Sequence, residues 1–221
     1  MNNPIVKSLI LFRSIVFCLR YLPLKQAIKI PIQIGFNMNV YKMYKGGIVI
    51  DTPAVKRYMI NLGIGGSPCL QQYKGGLMIE KGSHIVLHGD ATFSEGFSIR
   101  IENDSTLSIG KSFYGNKNCY IRCAESVSIG QDCIFGWNIS INDIDGHRIY
   151  KGGELQPDRN PVVIADHVWL TSNVKVTKGA VIPKNCVVAQ SSVVAGNKYD
   201  ENSLLGGIPA KVIADNINWS R

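Results

Sequence analysis

Residues 164–194 read IADHVWLTSNVKVTKGAVIPKNCVVAQSSVV, and an aliphatic side chain returns at every sixth position: Ile164, Leu170, Val176, Ile182, Val188 and Val194. Four residues after each of the first five stands a small or β-branched residue: Val168, Val174, Ala180, Cys186 and Ser192. This period matches neither the 3.6 of an α-helix nor the 2 of an isolated strand. It matches a chain that turns a corner every six residues. Three such sides close a triangular coil of about 18 residues that stacks on the next as a parallel β-helix. The aliphatic anchors then point inward from the flat sides, and the small residues fill the cramped places near the corners.

The pattern extends outward from this stretch. LSIG (107–110) and VSIG (127–130) lie 20 residues apart, so these coils carry an enlarged corner. Ile109 and Ile121 form one pair of anchors 12 apart, and Ile129 and Ile141 form a second, with Phe135 between them. Residues 32–100 alternate short β-branched runs with glycine turns at ragged spacing, which predicts irregular coils. Residues 143–160, DIDGHRIYKGGELQPDRN, break the register and are polar and glycine-rich. Ordering such an excursion costs entropy that a solenoid has no structural reason to spend, so the break marks function. The chain is thus expected to be all-β, with a helical segment at 1–31, a β-helix over 32–205 and a tail at 206–221 that closes the last coil.

Composition narrows the partners. Lys and Arg number 24 against 16 Asp and Glu, a formal net charge of +8, which favours anionic ligands. No zinc-finger spacing, helix-turn-helix or aromatic RNA-binding motif is present, so nucleic acid is not expected. Six cysteines include no CxxC pair; Cys133 and Cys186 fall on inward positions, and Cys119 with Cys123 lack a companion ligand pair. Reduced thiols in a cytoplasmic protein with no metal is the expectation.

Residues 5–22, IVKSLILFRSIVFCLRYL, are apolar but interrupted by Lys7, Arg13 and Arg20, and no small-residue cleavage site follows. The segment is too broken to span a bilayer. It suits either an interfacial helix on an anionic membrane surface or a helix packed against the solenoid's end or a neighbouring subunit.

Three segments carry a family resemblance: DIDGH (143–147), the repeat of 164–194, and GGIPAKVI (206–213). Together they resemble the left-handed β-helix, hexapeptide-repeat acyltransferases, and within them the galactoside/maltose O-acetyltransferase branch and the sugar O-acetyltransferases of surface-polysaccharide synthesis. The resemblance is strong from about residue 106 to 213. It implies a left-handed coil, a homotrimer, and acetyl-CoA lying in a groove between neighbouring prisms. It also implies a catalytic role for His147, an acceptor-side role for Asn118, and a place beside the pantetheine arm for Trp169 and Ser172. Gln190 falls in a turn that offers backbone N–H to the cofactor, and Lys211 falls near the adenosine 3′-phosphate. The family's WIG turn here reads Trp169-Leu170-Thr171, and its GAGS turn reads Ala189-Gln190-Ser191-Ser192.

The chemistry agrees with the residue types. Moving an acyl group from a thioester to a sugar hydroxyl requires a base active near neutrality, which an imidazole provides. A carboxylate or carbonyl must fix its tautomer; Asp145, Asp143 and Glu154 are the candidates, with Asp145 first and Asp143 also a candidate acceptor contact. His167 is expected to point to solvent, and His84 and His88, four apart, to share a strand face. The implied acceptor is a sugar or lipid-linked glycan. Alternatives are an N-acetyltransferase of a nucleotide-linked amino sugar, which lacks the usual N-terminal nucleotide domain here, and a non-catalytic scaffold. A zinc-dependent carbonic anhydrase on the same coil would need three convergent histidines.

Overall fold

The computed structural model describes residues 4–196 and 198–221. Two helices, α1 (Pro4–Tyr21) and α2 (Leu24–Ala27), precede a β-helix whose first, second and third walls are sheets of nine, seven and six strands, parallel except for the last strand of the first. The six-residue period emerges directly as stacking between coils. Ile164 pairs with Ile182, Leu170 with Val188, and Val176 with Val194, each pair in parallel register on a different wall. All six anchors and all five small residues are buried.

The corners follow from backbone conformation. The first-to-second corner carries Asn118, Asn138, Asn173 and Ser191, with φ of 58°, 59°, 62° and 61°. At the third-to-first corner stand Ser112, Asp132, His167 and Asn185, with φ of 60°, 57°, 55° and 60°. Asn and Asp tolerate this left-handed region because their short polar side chains bond locally, so they appear where the chain must turn. At the first corner they also bond one another: the Asn118 amide donates to Asn138 Oδ1 (2.5 Å), and the Asn138 amide to Asn173 Oδ1 (3.0 Å).

Residues 32–100 belong to the same three walls rather than to irregular coils. Ile32–Ile34 pairs with Ile60–Leu62, Met38–Lys42 with Gly75–Ile79, and Ile48–Ile50 with His84–Leu87. The ragged spacing comes from two enlarged corners, at 51–59 and 63–74, and from a bulge between Val40 and Lys42, while the other strand pairs keep register. Aromatic rings run through the core of the coils that follow; Phe93, Phe97, Phe113 and Phe135 form a chain of contacts with centroids 5.0–5.2 Å apart from Phe97 to Phe135.

Each end of the first wall is covered. At the start, the Ile34 amide donates to Ser14 Oγ (3.1 Å) and the Cys18 thiol to the Ile32 carbonyl (3.5 Å), so α1 occupies the open edge. At the other end, Leu204–Gly207 adds in parallel to Val187–Val188, and the chain reverses into the antiparallel strand Ala210–Ala214. The tail does more than close the last coil. Its final residues run back along the prism and dock at the third-to-first corner. Among the described residues no helix is long and apolar enough to cross a membrane.

Candidate active site

The break in the repeat is an ordered arm. It leaves the second wall after Ser140–Asn142, forms an antiparallel pair between Tyr150–Lys151 and Glu154–Leu155, and rejoins the third wall at Val162–Ile164. Its neck is tightly held. Asp143 is fully buried, and its two carboxylate oxygens accept from the amides of Ala124 and Glu125, both at 2.8 Å. The Asn160 amide donates to the Asp143 carbonyl (3.0 Å) and the Asp145 amide to the Asp158 carbonyl (2.8 Å). Lys178 bridges the two sides, donating at 2.5 Å to both Asp145 Oδ2 and the Pro157 carbonyl.

His147 follows Gly146, whose φ of 87° suits a residue without a Cβ. The imidazole is exposed and makes no hydrogen bond among the described residues. Asp145, expected to orient it, is instead ion-paired with Lys178. Asp143, expected near the ring or the acceptor, spends both oxygens on backbone amides and has no surface left for a ligand; its carboxylate anchors the neck. Below the arm, the buried Glu102 holds Arg122 (2.6 Å) and Arg100 (2.5 Å). Burial pushes the hydroxyl of nearby Tyr120 up, while these two arginines oppose the shift.

The residues implied for the cofactor collect elsewhere. Trp169, Ser172 and Gln190 line a cleft of 440 Å3 on the first wall, together with Trp137, Tyr114 and Thr171. Thr171, which replaces a glycine of the family turn, folds its hydroxyl onto the Val188 carbonyl of the next coil (2.7 Å) and so stays against the wall. Gln190 is exposed, whereas Ser172 is buried against the corner. Lys211 lies exposed on the closing hairpin, paired through its backbone with Gly206. Asn118 faces a neighbouring polar hollow with Tyr73, Tyr120, Ser140 and Lys175. Within one chain, His147 leaves from the second-to-third corner, while the Trp169 cleft opens on the first wall. The two halves of the expected site therefore do not meet in one protomer.

The remaining histidines are engaged. His84 Nδ1 lies 3.0 Å from the Tyr44 hydroxyl, and His88 bonds Asp51 (3.1 Å) and Ser108 (3.0 Å). His167 does not face solvent freely: it bonds Asp132 Oδ2 (2.7 Å) and stacks on Trp219. No group of His, Cys, Asp and Glu among the described residues has the arrangement of a metal site. Three participants escaped the sequence reading: Trp137 in the cleft, the Asn138–Asn173 ladder beside Asn118, and Trp219. Asn138 and Asn173 share the left-handed corner position of Asn118, a signal present at the same step of successive coils.

No family model matches the chain. It is 34% identical over 145 residues to the polysialic acid O-acetyltransferase of Neisseria meningitidis, covering 64% of this chain and 67% of that one. It is 30% identical over 115 residues to the galactoside O-acetyltransferase of Escherichia coli K12, covering 50% and 55%. The crystal structure of NeuO, a polySia-specific acetyltransferase, superimposes with a TM-score of 0.60 at 18% identity, over 86% of this chain and 73% of that one. That likeness is one of fold, and with it the coil takes the left-handed sense.

Proposed function

The chain belongs to the hexapeptide-repeat O-acetyltransferases, and from that membership we propose that it acetylates a sugar hydroxyl during surface-polysaccharide synthesis, using acetyl-CoA. The observation that carries this reading is the arm at 143–160: the one long interruption of the repeat between residues 106 and 194 is firmly anchored at its neck, yet it presents a histidine with no hydrogen-bond partner among the described residues. A structural loop histidine would be expected to bond its own turn. Acetyl-CoA supplies an acyl group activated as a thioester. His147 takes the proton of the acceptor hydroxyl and returns it to the leaving sulfur, a contribution of roughly 10²–10⁴ in rate.

The active unit is a homotrimer in which the arm of one protomer reaches the Trp169 cleft of the next. Several features support this. The arm exposes Ile149, Tyr150 and Leu155, each more than half open in the single chain; such side chains favour burial against a neighbour. The Trp169 cleft combines aromatic walls with the exposed turn at Gln190, and Lys211 adds a cation on the same wall, a set suited to a pantetheine arm and a phosphate. Asn118 and its ladder then sit on the acceptor side. Because Asp145 and Asp143 are committed within the neck, the group that fixes the His147 tautomer comes from Glu154, a backbone carbonyl or the neighbouring protomer. The enzyme works on the cytoplasmic side, where acetyl-CoA is made, at the inner face of the membrane that carries a lipid-linked acceptor.

The test is release of CoA thiol from acetyl-CoA with a panel of oligosaccharide acceptors. His147→Ala is expected to lose acceptor-dependent release by about 10²-fold or more while keeping the oligomeric state of wild type. Equal rates in the two proteins would refute the assignment.

A further inference from the structure

Helix α1 is apolar on two opposite sides. Ile10, Phe17 and Tyr21 face the core, at 5%, 5% and 9% exposure. Leu9, Phe12, Val16 and Leu19 face away, at 50%, 67%, 47% and 48%. Their three- and four-residue spacing sets them on one continuous stripe. Leu24 (66%) and Ile28 (67%) continue it along α2. A helix lying against water presents a polar outer face; one that is hydrophobic all round is covered.

Charge identifies the cover. The first 50 residues contain seven Lys and Arg and no Asp or Glu. Arg13 is committed to the Phe36 and Met38 carbonyls, and Lys42 to Glu80. Lys7, Arg20, Lys25, Lys29 and Lys45 remain exposed, with Lys29 also donating to the Val55 carbonyl (3.3 Å). A second copy docked stripe to stripe would bring these cations together with no carboxylate on either helix pair to offset them. An anionic bilayer offers an acyl layer for the stripe and phosphates for the cations, and its surface potential attracts such a segment. Beside the stripe, a cleft of 410 Å3 between α1 and the first coils brings Lys7 and Arg57 together over Val6, Leu11 and Ile64. It has the mixed lining that a phospholipid headgroup and its first acyl carbons require.

We propose that α1 and α2 lie flat on an anionic phospholipid surface, with the stripe in the acyl boundary and the cations among the headgroups. This deepens the membrane location given above and rests on that reading for its cellular setting, but not on the transfer chemistry.

Sedimentation with vesicles tests it. Wild type is expected to pellet with phosphatidylcholine vesicles containing roughly a third phosphatidylglycerol, but not with phosphatidylcholine alone, and to be released as salt rises. Phe12→Glu with Val16→Glu should lower partitioning at least ~10-fold, as should Lys25→Glu with Lys29→Glu. Circular dichroism should show both pairs as folded as wild type, since all four side chains are exposed. His147→Ala should bind vesicles normally, which separates this result from failure of the transfer reading. Absence of binding to anionic vesicles, or equal binding to neutral ones, would overturn the proposal. So would a Phe12/Val16 variant that keeps its vesicle binding but falls into smaller species, because a second copy would then be the cover.

Discussion

The indole of Trp219 lies flat on the imidazole of His167, with ring centroids 4.0 Å apart and planes 9° from parallel. Two hydrogen bonds lock the pair: the indole N–H donates to the His167 carbonyl and His167 Nε2 meets the Trp219 carbonyl, both at 3.1 Å. Arg221 reaches Asp132 Oδ1 (2.9 Å), while His167 Nδ1 holds the other oxygen of that carboxylate. Arg221 also donates to the Ser112 carbonyl, so the C-terminal tail is fastened across three coils, and Trp219 stands 6.0 Å from Trp169 at the rim of the cleft.

Trp219→Ala should therefore loosen the tail and leave Trp169 without its neighbour. The expected loss is about 1–2 kcal/mol of unfolding free energy, from the ring contact and the indole hydrogen bond. Urea unfolding followed by circular dichroism would measure it. Arg221→Ala, at an exposed ion pair, should cost less than about 1 kcal/mol. Similar losses from the two would mean the ion pair, not the stacked ring, holds the tail.

A site divided between protomers can be rebuilt from two broken chains. His147→Ala and Trp169→Ala should each be poorly active alone, and co-expressed chains should recover a measurable share of turnover. In the proposed trimer, mixed assemblies would contain clefts in which an intact arm meets an intact wall. Recovery absent from mixed trimers of confirmed composition would place both residues in one protomer's site.

Asp143→Ala should destabilise the arm's neck. The buried amide of Ala124 would lose its acceptor, at about 1–3 kcal/mol, and the more open amide of Glu125, which water can reach, would cost less. Hydrogen exchange localised to 124–125 and 143–160 is the appropriate readout. A change in acceptor KM with unaltered exchange would instead make Asp143 a ligand.

Burial pushes the Cys119, Cys123 and Cys133 thiols up to about 12. Their thiol form is favoured in the folded chain, so their contribution to stability is intact below about 9 and declines as pH rises above it, where the unfolded chain ionises first. Unfolding free energy should fall between pH 9 and about 11. In the native state Cys69, the exposed one of the six, should react with a thiol reagent first. Rapid labelling of several cysteines would show that the coils open easily.

The walls of the prism were legible because each anchor sits in register with an equivalent residue one coil away, so one period encodes both burial and pairing. Ile164, Leu170 and Val176 illustrate this, and even the 20-residue coils keep it through Ile109, Ile129 and Ile164. The early coils were harder to read because the corners at 51–59 and 63–74 are long and unequal, and a bulge at Val40–Lys42 interrupts the pairing. His147 could be singled out because it lies where the pattern stops. The partners of the acidic residues could not: whether Asp145 meets His147 or Lys178, 33 positions further on, depends on how the arm folds. The place of Trp219 was equally hidden, since no period connects it to a corner 52 residues away.

The reversed strand at Ala210–Ala214 and the helix over Ile32–Ile34 have a consequence for self-assembly. Identical rungs stacked in parallel can in principle add without limit, one molecule templating the next into a fibril. Here the principal wall starts under a helix and finishes on a strand of opposite direction, so neither terminus copies the other. The column has a fixed height, and growth can proceed only sideways, prism against prism.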